Sequence, residues 1–187
     1  MAEGGLTHEE CESRLERALS RGSFVKFMLE KMEEAGCSVP RTTSGGAASF
    51  FRVERCEKDI VGGFRPEAGV AVCHNHISSQ TELETALTHE LIHAYDHCRA
   101  KHMDWTNCEH HACSEIRAAN LSGDCRMSQE LARGNFGFYK QHQRCVKRRA
   151  ALSVGMNPNC GNGRAAHAVD KVFDTCFNDT APFAYVP

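Results

Sequence analysis

The most constraining stretch of the chain runs from Ser79 to Cys98, SQTELETALTHELIHAYDHC, and places His89, Glu90 and His93 in the order H-E-x-x-H. Two histidines four residues apart lie one turn above each other on a helix, so both imidazoles can bind one zinc ion. A glutamate beside the first histidine can take a proton from a zinc-activated water. The motif is typical of zinc peptidases. We predict His89 and His93 as metal ligands and Glu90 as the catalytic residue.

The sequence around the motif favours a helix. Ser79 and Glu82 have the spacing of a capping box, and neither glycine nor proline follows before Cys98. Apolar residues recur at helical spacing and predict a buried stripe, formed by Leu83, Ala86, Leu87, Leu91 and Ala94.

Catalytic zinc usually takes three protein ligands and keeps one position open, so one more ligand is needed. A second helix is predicted over 107–121, and within it Glu115 lies 22 residues beyond His93. This distance lets the chain turn back towards the metal, and Glu115 is our predicted third ligand. His111, one turn earlier on the same face, remains the main alternative, because neighbouring residues often divide into ligand and orienting partner.

Four other polar residues near the motif are weaker candidates. His110 and Asp96 lie closer to it along the chain, and we expect Asp96 to orient a ligand or a neighbour. His74 and His76 are expected to be loop histidines, since the helical pair has the tighter ligand spacing. Arg117 and Asp124 have no predicted role.

Charge and hydropathy exclude several classes of protein. The net charge is −2 and the sequence pI is about 6.6, so no nucleic-acid partner is expected, and the run 147–149 is interpreted as a solvated helix face. No apolar stretch approaches the roughly 20 residues of a membrane-spanning helix. The first 20 residues are acidic, which is atypical of a signal or transit peptide.

The chain contains 11 cysteines, spread over its whole length and without a C-x-x-C pair. Dispersed cysteines favour a disulfide framework formed in an oxidising compartment over a zinc ribbon. A protein with many buried free cysteines is the alternative. An odd total leaves at least one thiol unpaired within the chain, and the connectivity stays open.

We expect one zinc metalloprotease domain over 1–187 with an α+β, zincin-like fold, in which residues 1–20 form a loosely packed segment. Two helices are predicted over 9–35, broken at Gly22, and then a loop over 39–46. A small antiparallel or mixed sheet is predicted beside the motif helix, with strands over 51–56 and 69–75 and a turn or bulged connection over 60–64.

The strand at 69–75 is predicted to pair with extended substrate. The C-terminal half is expected to be mainly helical, with disulfides stabilising it. Its helices are predicted over 128–133, 137–152 and 165–177.

Four segments together resemble one family: THELIHAYDHC at 88–98, CEHHACSEIRAANLSGDCR at 108–126, QRCVKRRAALSVGMNPNC at 143–160 and VFDTCFNDTAPF at 172–183. They are similar to the mitochondrial inner-membrane metalloproteases of ATP synthase assembly, whose animal members are also described as Ku-binding proteins. The likeness covers roughly residues 20–187, including the placement of the cysteines.

The resemblance implies a zinc enzyme peripheral to the inner membrane, on its intermembrane-space side, with disulfides formed there. It implies removal of a leader from a subunit of the ATP synthase membrane sector, with such subunits or their precursors as partners. It also implies a chaperone role in assembling that sector, one that does not require the glutamate corresponding to Glu90. A non-proteolytic assembly chaperone is therefore the alternative function. A nuclear DNA-repair partner fits neither the charge nor a disulfide-rich chain.

Overall fold

Seven α-helices and a three-stranded sheet make up residues 4–40 and 49–187, the part of the chain that the computed structural model describes. The chain divides into two units, Met1–Arg99 and Ala100–Pro187, each with its own core. The predicted loop over 39–46 falls largely on residues 41–48, which lie outside the described residues.

The first unit begins with two helices, α1 (His8–Arg21) and α2 (Ser23–Glu34). The predicted break is confirmed, since Gly22 has an extended backbone between them. From His8 onward the chain is not the loosely packed segment expected over 1–20. A capping box of Thr7 and Glu10 starts α1, and one face of the helix is buried through Cys11, Leu15, Ala18 and Leu19.

The sheet consists of β1 (Phe51–Glu54), β2 (Gly62–Arg65) and β3 (Gly69–Cys73), in the order β1-β3-β2. β1 runs parallel to β3, with Phe51 opposite Val70, and β2 runs antiparallel to it, with Gly62 opposite Val72. The sheet is therefore mixed. The predicted turn or bulged connection over 60–64 contains residues 62–64 of strand β2.

The central position of β3 corrects one prediction. Residues 69–73 pair with a strand on each side, so their backbone groups bind β1 and β2 instead of substrate. The run GVAVC is largely apolar because residues on both faces of this strand are buried.

Helix α3 (Gln80–Arg99) carries the H-E-x-x-H motif. The Oγ of Ser79 accepts a hydrogen bond from the Glu82 backbone N–H, as a capping box requires, but the Glu82 carboxylate accepts from Ser78. The predicted apolar stripe is confirmed, and all five of its residues are buried. The helix packs against α1, α2, β2 and β3.

The second unit contains α4 (Cys108–Leu121), α5 (Met127–Ala132), α6 (Gln141–Gly155) and α7 (Arg164–Asn178). Helix α4 packs on both α6 and α7, and buried residues of all three form the core of this unit. α6 begins at residue 141 and not at 137 as predicted, because Lys140 has a left-handed backbone with φ of 48°.

Five disulfides confirm the predicted framework. The first unit contains Cys37–Cys98 and Cys56–Cys73, and the second contains Cys108–Cys160, Cys113–Cys176 and Cys125–Cys145. Each such bond typically contributes about 2–4 kcal/mol of stability by restricting the unfolded chain.

Cys11 is the free cysteine and is buried on α1. Burial raises the pKa of the Cys11 thiol to about 11, so at neutral pH it remains protonated and reacts slowly.

Thiol labelling tests this arrangement. In denaturant without reductant, we expect a maleimide to label one cysteine, identified by peptide mass spectrometry as Cys11. After reduction all 11 should react. In the native protein at neutral pH, Cys11 should react much more slowly than in denaturant. Three or more labels on unreduced, unfolded protein would contradict the framework.

Candidate metal centre

Helix α3 brings His89 and His93 together as predicted. Their ring centroids are 4.9 Å apart and the rings are nearly perpendicular, at 79°. His93 is buried and His89 is partly exposed. Side chains four residues apart share one helix face, so the ring nitrogens of both can approach a single ion.

Glu90 is buried and lies beside strand β2. A Cβ atom built on Gly62 would be 3.6 Å from the Glu90 Cγ and 3.8 Å from its Oε1. β2 is an edge strand of the described sheet, paired with β3 on one side. The glutamate of the motif therefore lies next to a strand whose outer edge is not paired within that sheet.

The absence of a side chain at Gly62 allows the backbone of β2 to lie close to the backbone of β3 at Ala71. A Cβ built on Gly62 would lie 2.9 Å from the carbonyl oxygen of Ala71, which is closer than real Cβ atoms approach such a group. No such contact arises at the neighbouring Gly63, whose Cβ would meet nothing within 4 Å. A side chain would therefore clash with the neighbouring strand at Gly62 but not at Gly63.

Glu115 lies on α4 in the second unit and is buried. Its Oε1 is 3.3 Å from the Nε2 of His111, one turn earlier on the same helix. The other ring nitrogen of His111, Nδ1, is 3.0 Å from the Nδ2 of Asn157. His111 is therefore held between an amide and a carboxylate.

The hydrogen bonds of Asn157 determine which nitrogen of His111 carries the proton. The Asn157 Oδ1 accepts from the Asn159 backbone N–H, so its Nδ2 must be the donor towards His111. The His111 Nδ1 therefore accepts, and in the neutral ring its Nε2–H donates to Glu115. Both nitrogens of His111 are used.

The remaining candidates have other partners. The His74 Nδ1 is 2.8 Å from the Leu6 carbonyl oxygen, and the His76 Nε2 is 3.2 Å from that of Cys56. The His110 Nδ1 accepts from the backbone N–H of Asp104, and Asp96 accepts from the Nε of Arg99 at 3.1 Å.

Arg117 and Asp124, which have no predicted role, form partly buried ion pairs. Arg117 donates to the Asp179 carboxylate at 2.7 Å and to the backbone carbonyls of Asp179 and Ala181, so it holds the C-terminal tail. Asp124 accepts from Arg149 at 2.7 Å and from Arg133. No motif spacing signals these pairs, because each joins residues distant in sequence.

The model of the peptidase M76 family matches residues 9–184. This chain belongs to the peptidase M76 family. It is 43% identical over 183 residues to the human "Mitochondrial inner membrane protease ATP23 homolog", a match that covers 97% of this chain and 72% of the relative.

Two further relatives give the same result. The Xenopus laevis homologue is 43% identical over 96% of this chain and 74% of its own length. The "Mitochondrial inner membrane protease ATP23" of Malassezia globosa is 43% identical over 95% of this chain and 77% of its own length. The predicted resemblance is thus confirmed, and a protease is the function that the family supports. No solved structure matches the chain.

Substitution of the two glycines in β2 tests whether this strand lies beside Glu90 as described. Gly62→Ala should lower the melting temperature and reduce peptidase activity, because its Cβ forces β2 away from Ala71. Gly63→Ala is the matched control and should change both quantities little. The comparison requires only thermal melting and a peptide-cleavage assay. Equal effects of the two substitutions would show that β2 lies differently beside Glu90.

Proposed function

We propose that this chain is a zinc-dependent endopeptidase in which His89, His93 and Glu115 would hold one zinc ion and Glu90 acts as the proton carrier. The observation that carries the proposal is the H-E-x-x-H motif on helix α3, with a buried glutamate, in a chain of a peptidase family. The zincin-like assignment of the fold is part of this proposal.

The donor set fits the metal. Two imidazoles and one carboxylate would make up the His₂Glu ligand set of known catalytic zinc sites. Glu115 is preferred over His111 because both ring nitrogens of His111 have partners, which leaves no lone pair for a metal. His111 instead orients the Glu115 carboxylate, as hydrogen-bonded neighbours of metal ligands commonly do.

Zinc at this site would polarise the scissile carbonyl and lower the pKa of a water molecule towards neutrality. Glu90 takes a proton from the attacking water, whose oxygen bonds to the carbonyl carbon. Glu90 then donates this proton to the amide nitrogen as the C–N bond breaks. The products are a new carboxyl terminus and a new amino terminus.

Strand β2 is the candidate for substrate positioning, in place of residues 69–75. An extended peptide can add to an edge strand through main-chain hydrogen bonds, which supply affinity with little demand on sequence. Because Gly62 lies beside Glu90, a peptide on the outer edge of β2 would have its backbone close to the proton carrier.

We infer a location at the mitochondrial inner membrane, peripheral and on its intermembrane-space side. The names of the relatives support the membrane, and five disulfides support an oxidising compartment. No helix among the described residues is long and apolar enough to cross a membrane. The substrate we propose is the precursor of an ATP synthase membrane-sector subunit. A chaperone role in assembling that sector is the alternative function.

The Glu90→Gln variant separates the enzyme from the chaperone. It removes the proton carrier and keeps the shape of the side chain, so cleavage of unfolded hydrophobic leader peptides should fall at least about a hundredfold. Zinc content, measured by atomic absorption, should stay at one ion per chain.

Glu84→Gln is the matched control, since Glu84 lies on the same helix and accepts from Gln80 at its start. This variant should keep full activity. Stoichiometric zinc without cleavage of any leader peptide by the wild-type protein would contradict the enzyme and favour the chaperone.

A further inference from the structure

The segment between α5 and α6, residues 134–140, exposes three aromatic side chains and is named here the aromatic loop. Phe136 is 69% exposed, Phe138 77% and Tyr139 78%. Soluble proteins expose single apolar residues freely, but a contiguous apolar patch commonly marks an interaction site. Three aromatic rings within four residues of one loop form such a patch.

The aromatic loop lies in the most basic part of the chain. Residues 133–149 include six Lys or Arg and no Asp or Glu, in a chain whose net charge is −2. Four of these cations have acidic partners in the second unit: Arg133 and Arg149 pair with Asp124, Arg148 with Glu130, and Lys147 with Asp170.

The other two cations, Lys140 and Arg144, have no carboxylate within ion-pair distance among the residues that the structure describes. Burial alone would raise the pKa of Glu130, but hydrogen bonds from Arg148 and Arg133 outweigh this effect and hold the pKa below its ordinary value. The carboxylate is therefore charged at neutral pH and pairs with these two arginines. The positive charge of Lys140 and Arg144 is therefore available to a partner.

Geometry joins these two cations to the aromatic rings. The Lys140 Nζ lies 5.7 Å from the centre of the Tyr139 ring. An Nη atom of Arg144 lies 3.2 Å from the position that a Cβ on Gly137 would occupy, so the glycine allows the loop to approach the guanidinium closely. An open pocket of about 620 Å³ is lined by Phe136, Arg144, Lys147 and Arg148, among others.

We propose that the aromatic loop, with Lys140 and Arg144, docks onto the surface of an anionic phospholipid bilayer. Aromatic rings prefer the boundary between headgroups and acyl chains. Lysine and arginine beside them bind lipid phosphates and gain from the negative surface potential. The rings enter the interface while the two cations stay at headgroup level.

The lipid surface fits the pattern better than single-stranded nucleic acid, the other ligand that aromatic and cationic groups can bind. Stacking on successive bases requires rings spaced along a positively charged groove that follows the nucleic-acid backbone, whereas these three exposed rings lie within four residues of one loop. The aromatic loop would be the surface through which the protein binds the membrane inferred above. This binding does not depend on the peptidase chemistry.

Vesicle co-sedimentation tests the proposal with the full chain. We expect the wild-type protein to bind vesicles of equimolar phosphatidylcholine and phosphatidylglycerol, and to bind pure phosphatidylcholine vesicles much more weakly. The double variant Phe138→Ser, Tyr139→Ser should reduce partitioning about tenfold or more, because two rings leave the interface. Lys140→Gln, Arg144→Gln should reduce it by a similar factor and weaken its dependence on salt.

Two control variants in the same unit match these changes. Tyr185→Ser removes a ring of similar exposure, 76%, and Lys101→Gln removes an exposed cation outside the loop. Both should bind vesicles as the wild type does. All four variants should keep the wild-type melting temperature and peptide cleavage, and Glu90→Gln should keep vesicle binding, so failure of the docking surface is distinguishable from failure of the peptidase.

Three results would overturn the proposal. The first is equal binding of the wild-type protein to neutral and anionic vesicles. The second is loss of binding in the controls to the same degree as in the loop variants. The third is saturable binding of a single-stranded oligonucleotide by the wild-type protein together with no binding to either kind of vesicle.

Discussion

The 3.6-residue turn of helix α3 is the constraint on which the proposed site depends, because it alone aligns His89 with His93 and places Glu90 beside them. The rest of the first unit holds this helix. Ser79 caps its start, and the disulfide of Cys98 fixes its last turn to Cys37, just after α2. The sheet then sets β2 against Glu90, where the absence of a side chain at Gly62 permits the approach.

Sequence periodicity predicted α1 and α3 well because each buries apolar residues at helical spacing. The stripe of α3 followed from apolar spacing and the start of that helix from capping at Ser79, while the break between α1 and α2 followed from Gly22. The position of β3 did not follow, since a largely apolar run of five residues does not reveal whether a strand has one neighbour or two. The start of α6 was missed because the left-handed backbone at Lys140 leaves no mark in the sequence.

The third ligand shows a different limit of sequence reasoning. His111 and Glu115 are one turn apart on α4, and spacing gives both the same face. Our preference for Glu115 depends on Asn157, 46 residues away from His111, whose amide donates to the His111 Nδ1 and leaves the Nε2–H to donate to Glu115. Such a hydrogen bond is a property of the folded unit. The same holds for the cysteines, whose number predicted a framework while their pairing required the fold.

X-ray absorption spectroscopy of the zinc-loaded protein tests the central proposal most directly, because it reports the kind and number of atoms around the metal. We expect two imidazole nitrogens at about 2.0–2.1 Å from the zinc ion, with oxygen ligands completing the shell. One of these oxygens should come from Glu115 and another from solvent. In the Glu115→Gln variant the carboxylate contribution should be lost while both imidazoles remain. A shell of three imidazoles in the wild-type protein would contradict Glu115 as a ligand and make His111 the third ligand.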